Sequence, residues 1–423
     1  MNGPPSNDIP SMASLRILFR PSTAFVAPLF LGIAFWLLPL HSGTAGYIER
    51  APLTVPGLLV LCSFYLAIYS GSRIARRLFR LPEEYRFTPR PRLELAFYFT
   101  VSAASTIGAL ASWDSILSSG LSLKAVFAAR EGNEFKSALY SQYSYLFSLR
   151  YMAPVSGAMA FLFLLGGRFR RWTPLHYLNA FVLLSTAFIS SRMALVQAIY
   201  YFAGASIVGS HPPQLKSKHI IVALLVMAIL LTAMTYVRNA NSYEREFGIT
   251  SPIEMLFLQI RRYLSTPVQV SLGVSSYATK DRAAFSLPGW KYPLLPTFLH
   301  DSSRKTDNSG GVWAQWYLGL VDFDPRLTTN SSFVELYGDI RYWTIPFIFA
   351  VSFVWTGIAG VVARDDSRIV VHFVIVYHFA ELWRNFHFNN GNFILQFTGC
   401  AFALLVSSWV VNSVLRLRTT HPT

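Results

Sequence analysis

The chain reads as an all-α integral membrane protein of about ten transmembrane helices, and three observations carry that reading. Apolar residues make up 53% of its 423 positions and charged residues only 13%, against about 25% charged in a soluble domain. The missing charge is concentrated in runs of roughly 20 residues, the length a helix needs to cross a hydrocarbon core. Basic residues collect in alternate connecting segments, the pattern that orients a multi-span protein. Mean hydropathy is +0.39. Disulfide scaffolds, collagen, coiled coils and disordered chains do not fit this composition. Cys62 and Cys400 both sit inside apolar runs, which argues against a structural disulfide and leaves no cysteine-based metal site.

Candidate spans run over roughly 22–40, 52–70, 93–112, 147–166, 174–191, 193–209, 220–237, 342–363, 369–386 and 392–415. The first is long enough to cross, and no small-residue cleavage site follows it. Residues 1–20 therefore read as a short, disordered cytoplasmic N-terminus. Spans one to seven occupy 21–237, and spans eight to ten with a short tail occupy 342–423. The fifth and sixth are separated only by Ser190-Ser191-Arg192, which makes them a tight helical hairpin.

Net charge is +15. On a soluble protein that excess points to nucleic acid; here the positive-inside bias accounts for it, and no nucleic-acid partner is expected. With a cytoplasmic N-terminus, half of the 36 Lys and Arg but only six of the 21 acids fall inside. Every short inner loop is then basic, so both termini are expected in the cytoplasm.

Two outer segments are too long for simple turns. Residues 113–146 include Leu121–Arg130, which has the spacing of a short interfacial amphipathic helix. Residues 238–341 form an expected loop cap. Its first part, Pro252 to Leu272, has helical apolar spacing broken by Arg261 and Arg262. Its second part is rich in Pro, Gly and aromatic residues, as in Leu287-Pro-Gly-Trp-Lys-Tyr-Pro293. Long loops of this kind are functional or disordered, and the density of Trp and Tyr argues for order.

The chain has no Walker motif, dinucleotide fingerprint, His-Glu-x-x-His or nucleophile elbow. No Asp or Glu lies deep in an apolar span, which weakens the case for a proton-coupled carrier. What stands out is arginine at the outer ends of spans: Arg192, Arg238, Arg261, Arg262, Arg341 and Arg384, with Arg130 in the amphipathic stretch. Guanidinium forks bind phosphate oxygens bidentately and stay charged in a partly dry site, which suits a lipid-linked diphosphate. The bland alternative is that each snorkels to headgroups. It fits Arg192 poorly, because a turn so short holds the side chain at the bundle. It also fits Arg384 poorly, because Glu381, Asn385, His387 and Asn389 crowd the same polar stretch.

His372 and His378 read as buried histidines with one hydrogen bond each. His387, at the outer mouth beside Arg384, is a candidate base or diphosphate contact. Glu335 and Asp339 are four apart and share a helix side; they either assist a sugar hydroxyl or pair with the arginines. Trp290, Tyr292, Trp313, Trp316 and Tyr317 suit stacking on sugar C–H faces and equally suit interface anchoring.

The layout resembles the oligosaccharide repeat-unit polymerases, the Wzy-type O-antigen and exopolysaccharide polymerases related to the O-antigen ligases. The resemblance rests on the spans, the Ser-Ser-Arg192 hairpin, the long outer loop before the last three spans, and Glu335-x-Tyr337-Gly338-Asp339 leading into span eight. Where related polymerases tend toward Tyr-x-Asp-Phe-Gly-x-x-Gly, this chain has Asp339-Ile-Arg-Tyr-Trp343. The resemblance implies a lipid-dependent (GT-C-like) glycosyltransferase of the bacterial inner membrane, working at the periplasmic face by metal-independent inversion and without a cofactor. It implies undecaprenyl-diphosphate-linked oligosaccharide as substrate, membrane lipid around it, and a chain-length-regulating co-polymerase and a flippase as companions. On that reading Arg192, Arg238, Arg261 and Arg384, with Arg262 and Arg130 in reserve, hold the diphosphate. Glu335, Asp339, Glu381 and His387 are candidates for the base, and Tyr263, Trp313, Trp316 and Tyr337 for sugar contacts. The competing readings are a lipid-linked glycan ligase and a non-enzymatic flippase. A flippase calls for arginines along a central cavity and two similar halves, and the chain shows neither.

Overall fold

The computed structural model describes residues 16–39, 47, 49–82, 87–120, 145–189, 192–209, 229–234, 236–237, 240–241, 243–245, 247–278, 289–300, 321 and 331–420. Among these residues the protein is helical, with no strand and a single bridge between Thr88 and Asp365. The α-helices in chain order are α1 Val26–Leu37, α2 Val55–Leu78, α3 Pro91–Ser118, α4 Ala153–Leu165, α5 Thr173–Ile189, α6 Met193–Val208, α7 Pro252–Ala278, α8 Lys291–Leu294, α9 Ser332–Ile340, α10 Thr344–Val362, α11 Ile369–Glu381 and α12 Gly391–Thr420. A 3-10 segment, Tyr145–Met152, leads into α4, and another, Arg341–Trp343, joins α9 to α10.

Among the described residues, five helical stretches are long and apolar enough to cross a membrane: Val55–Leu78, Pro91–Ser118, Leu146–Leu165, Ser332–Val362 and Gly391–Val414. α1 and α6 are apolar but shorter. The expected seventh span, 220–237, lies mostly outside the described residues, and the amphipathic stretch 121–130 lies wholly outside them. Leu59, Leu66, Leu110, Phe181, Phe402, Leu405 and Trp409 are each more than 60% exposed. Apolar surface on that scale is costly in water and ordinary in lipid.

Local sequence explains the helix starts. The Thr54 hydroxyl caps α2 by accepting from Gly57 N at 3.2 Å, and α2, α3 and α4 each carry proline in the first turn, where no N–H is needed. Along α3 the buried positions include Ser102, Ser105, Gly108, Ser112 and Ser115. Small residues on one face let neighbouring backbones approach. An added Cβ at Gly108 would lie 2.0 Å from Arg150 N, and one at Gly71 would lie 2.4 Å from Phe349 O. The second contact brings α2 and α10 together.

α11 has 13 residues and all are buried. At 1.5 Å per residue it is about 20 Å long, too short to cross alone. It forms the centre of the bundle, as a helix apolar on every face must.

Pro252 to Leu272, expected at the start of an outer cap, belongs to α7, which packs across α1 and α2. An added Cβ at Gly32 would meet Leu264 O at 3.0 Å, and one at Gly57 would meet Ser276 N at 2.8 Å. Gln269 fastens this helix. Its Oε1 accepts from Trp36 Nε1 at 2.7 Å and from Ala51 N at 2.9 Å, and its Nε2 donates to Glu49 O at 2.7 Å. Arg261, which breaks the apolar spacing, serves the end of α1: it donates to Pro39 O at 2.5 Å, while Arg50 donates to Leu37 O at 2.9 Å. Cations at a helix C-terminus satisfy carbonyls that have no partner within the helix.

The bundle has two polar ends. At one, Arg168 forms a bidentate pair with buried Glu94, and Arg368 lies 3.4 Å from Asp365. At the other lie Arg192 and Arg384.

Candidate functional site

The second polar end is assembled from the start of α6, one face of α7 and the segment that joins α11 to α12. Arg192 stands at the N-cap of α6. Gln259, Arg262 and Tyr263 are three and four residues apart on α7 and therefore share a face. Arg192 Nη1 donates to Gln259 Oε1 at 2.5 Å. Burial lowers the Arg192 pKa, and Tyr263 and Tyr243 nearby oppose that fall.

Arg384 follows directly on α11. Its Nε and Nη2 donate to Glu381 Oε2 at 2.9 and 2.6 Å, and its Nη2 lies 3.6 Å from Met193 Sδ. Its Cζ is 5.6 Å from the Tyr263 ring centroid. Tyr263 is thus a neighbour of both Arg384 and Arg192. Arg262 is buried with its Cζ 4.2 Å from the Phe247 ring, and Phe247 packs on Tyr243 at 5.6 Å. Aromatic faces hold guanidinium groups in a partly dry site without neutralising them.

His387 comes to the same place. Its Nε2 is 4.0 Å from Glu381 Oε2 and, among the described residues, is buried without a hydrogen-bond partner. Burial pushes its pKa down to about 4; Glu381 opposes the fall and Arg384 adds to it. The imidazole is therefore neutral at pH 7. Its ring packs 5.6 Å from His378, whose Nδ1 is 2.6 Å from Val374 O. His372, deeper in α11, places Nδ1 3.0 Å from Ala359 O.

Glu335 and Asp339 both lie on α9, half-buried. Glu335 Oε2 accepts from Phe386 N at 2.9 Å, which ties α9 to the residue before His387. The Asp339 carbonyl accepts from Gly289 N at 2.6 Å. Tyr337 is buried, stacked on Phe333 at 5.5 Å. Arg261 points to the α1 terminus rather than to Arg384. Arg130, Arg238, Trp313 and Trp316 lie outside the described residues.

Some neighbours of this end carry little sequence signal. Gln259 is an uncharged residue within an ordinary helical pattern. Tyr200, Tyr201 and Tyr377 sit in apolar runs, yet the Tyr377 ring packs on both others, at 5.4 and 5.9 Å, one turn before Glu381. Tyr201 Oη donates to Gln396 Oε1 at 2.9 Å, and Gln396 Nε2 donates to Tyr151 O at 3.0 Å. Arg150 is fully buried, with Nη1 3.2 Å from Phe147 O and Cζ over the Phe147 and Tyr151 rings. A hydropathy window reads straight past it. Among the described residues no group of three His, Cys, Asp or Glu is placed to hold a metal ion.

Among the described residues, fold and site together define a helical protein with helices long and apolar enough to cross a membrane and an arginine-rich, aromatic-lined polar end. No protein-family model matches the chain, and no curated protein or solved structure matches it either.

Proposed function

We propose that the protein polymerises undecaprenyl-diphosphate-linked oligosaccharide repeat units into O-antigen or exopolysaccharide at the periplasmic face of the bacterial inner membrane. On this reading about ten helices cross the membrane in a GT-C-like arrangement with both termini cytoplasmic, and the Arg384 end faces the periplasm. The observation that carries the proposal is that Arg192 and Arg384 are both neighbours of Tyr263, with Arg262 on the same face of α7.

The chemistry follows from charge. A hydroxyl oxygen of the acceptor sugar attacks the anomeric carbon of the donor. The bond from that carbon to the diphosphate oxygen breaks, and undecaprenyl diphosphate leaves with the electron pair. Negative charge grows on the leaving group as the bond stretches, so fixed guanidinium groups bind the transition state more tightly than the ground state. The attacking hydroxyl gives up a proton. Glu381 is engaged by Arg384 and Glu335 by the Phe386 amide. Between Asp339, one turn further along α9, and His387, we assign the role to His387, whose Nε2 lies by the Glu381–Arg384 pair and has no hydrogen-bond partner among the described residues. Once protonated, His387 lies 4.0 Å from the Glu381 carboxylate, which stabilises the imidazolium.

The test is reconstitution of the full chain in vesicles with lipid-linked repeat units, followed by gel analysis of product length. Polymer from the wild type and none from Arg192→Lys with normal insertion supports the proposal. Full-length polymer from both Arg192→Lys and Arg384→Lys overturns it.

A further inference from the structure

At the far end of the bundle from Arg384, the start of α3 and the later part of α12 enclose an open cleft of about 460 Å³ lined by Arg90, Arg92, Leu93, Ser408, Val411 and Asn412. α12 begins at Gly391, beside the His387 segment. The cleft lies about 30 Å further along it at 1.5 Å per residue, the thickness of a hydrocarbon core. Trp409, 71% exposed, sits beside Ser408, and Trp172 packs on Phe99 of α3 at 4.6 Å. Tryptophan at the ends of apolar helices marks headgroup depth.

The lining combines charge with hydrocarbon. Arg92 is exposed and makes no ion pair among the described residues. Arg90 is 61% exposed and lies 3.9 Å from Asp365, a carboxylate that also binds Arg368 and Ser367. Among the other described acids at this end, Glu94 is taken by Arg168 and Asp366 is buried beside Arg368, so Arg90, Arg92, Arg168 and Arg368 face Glu94, Asp365 and Asp366. The cleft therefore keeps a net positive charge. Leu93 and Val411 give it an apolar wall, and the exposed side chains of Phe402, Leu405 and Trp409 continue down α12 toward the bundle middle. Ser408 and Asn412 are one turn apart and offer neutral hydrogen bonds.

We propose that this cleft binds the phosphate headgroup of an anionic phospholipid, with the acyl chains lying along α12. Two guanidinium groups around one phosphate favour a lipid of net negative charge. A zwitterionic headgroup would bring a further cation into the same space. The site is separate from the Arg384 end and does not depend on the activity proposed there.

Purified, delipidated full chain in neutral detergent provides the test, with phosphatidylglycerol and phosphatidylcholine as probes and bound lipid counted by native mass spectrometry. Phosphatidylglycerol is expected to bind about 30-fold more tightly, from roughly 1 kcal/mol for each of the two basic residues. Arg90→Gln/Arg92→Gln removes that preference. Arg77→Gln/Arg80→Gln, which discards the same charge from exposed positions at the end of α2, keeps it. Val411→Trp fills the cleft without altering charge and also removes it. The proposal is overturned by a preference that survives the Arg90/Arg92 double variant or Val411→Trp, or by an equal loss in the Arg77/Arg80 control. Displacement of the lipid by an equal concentration of inorganic phosphate also overturns it, in favour of a bare-anion site.

Discussion

Arg384 grips a single oxygen of Glu381 with two of its nitrogens, at 2.9 and 2.6 Å, and both residues are buried. Deleting one partner of such a pair strands the other charge, at a cost of about 3–5 kcal/mol. Glu381→Ala and Arg384→Ala should each lower unfolding stability by that amount, read by denaturant titration in micelles. Glu381→Leu/Arg384→Leu should cost clearly less than the two single losses added together, because it leaves no stranded charge. Additive losses would show that the pair is not energetically coupled.

Arg192 and Gln259 make the corresponding contact on the α6 side. Arg192→Lys discards the fork and the 2.5 Å bond to Gln259. Hydrogen bonds to charged groups are worth about 1.5–3 kcal/mol, so the diphosphate affinity that the proposed function requires should fall roughly 10- to 100-fold while membrane insertion is unchanged. Gln259→Leu keeps the charge but loses its anchor and should weaken binding less than Arg192→Lys does. Isothermal titration of each variant with a lipid-linked diphosphate ranks them, and an unchanged affinity for Arg192→Lys would remove Arg192 from the site.

His387 sets a pH dependence. Its folded pKa of about 4 is below the ordinary 6.5, so its contribution to stability is complete above about pH 6.5 and is lost as pH falls toward 4. Folding stability should therefore decline across that window, by up to roughly 3 kcal/mol from this group. His387→Gln should flatten the decline. Thermal unfolding of both proteins between pH 7 and pH 4 checks it, and parallel curves would assign the acid sensitivity elsewhere.

Hydropathy made the helical bundle legible, because burial in lipid demands uninterrupted apolar runs. Arg192 and Arg384 were legible as well, since a charge at the tip of such a run has few places to go. α7 was harder to place. Arg261 and Arg262 interrupt its apolar pattern and mimic a solvent-facing segment, yet both are buried, one against the carbonyls ending α1 and the other on Phe247. Arg150 was hidden for the converse reason: two aromatic rings and a carbonyl accommodate it, and none of these has a spacing signature. Gln259, Tyr201 and Gln396 act through long-range hydrogen bonds that no local pattern encodes.

Two glycines on the helices flanking the Tyr145–Met152 turn should respond very differently to the same added methyl group. At Gly108 the new Cβ would lie 2.0 Å from the backbone nitrogen of Arg150, and backbone there cannot yield without shifting the whole 3-10 segment. At Gly399 it would lie 2.9 Å from Met152 Cε, the mobile end of a flexible side chain. Gly108→Ala should therefore destabilise by about 1–3 kcal/mol or more, and Gly399→Ala by less than about 1. The consequence extends to the polar end. Tyr151, one residue after Arg150, accepts from Gln396, which in turn accepts from Tyr201 against the Tyr377 ring. A displaced 3-10 segment pulls on that chain of contacts one turn from Glu381. If the polar end holds the diphosphate as proposed, Gly108→Ala should lose that binding along with stability, whereas Gly399→Ala should retain it. Equal melting temperatures for the two variants would mean that α3 and the 3-10 segment do not approach this closely.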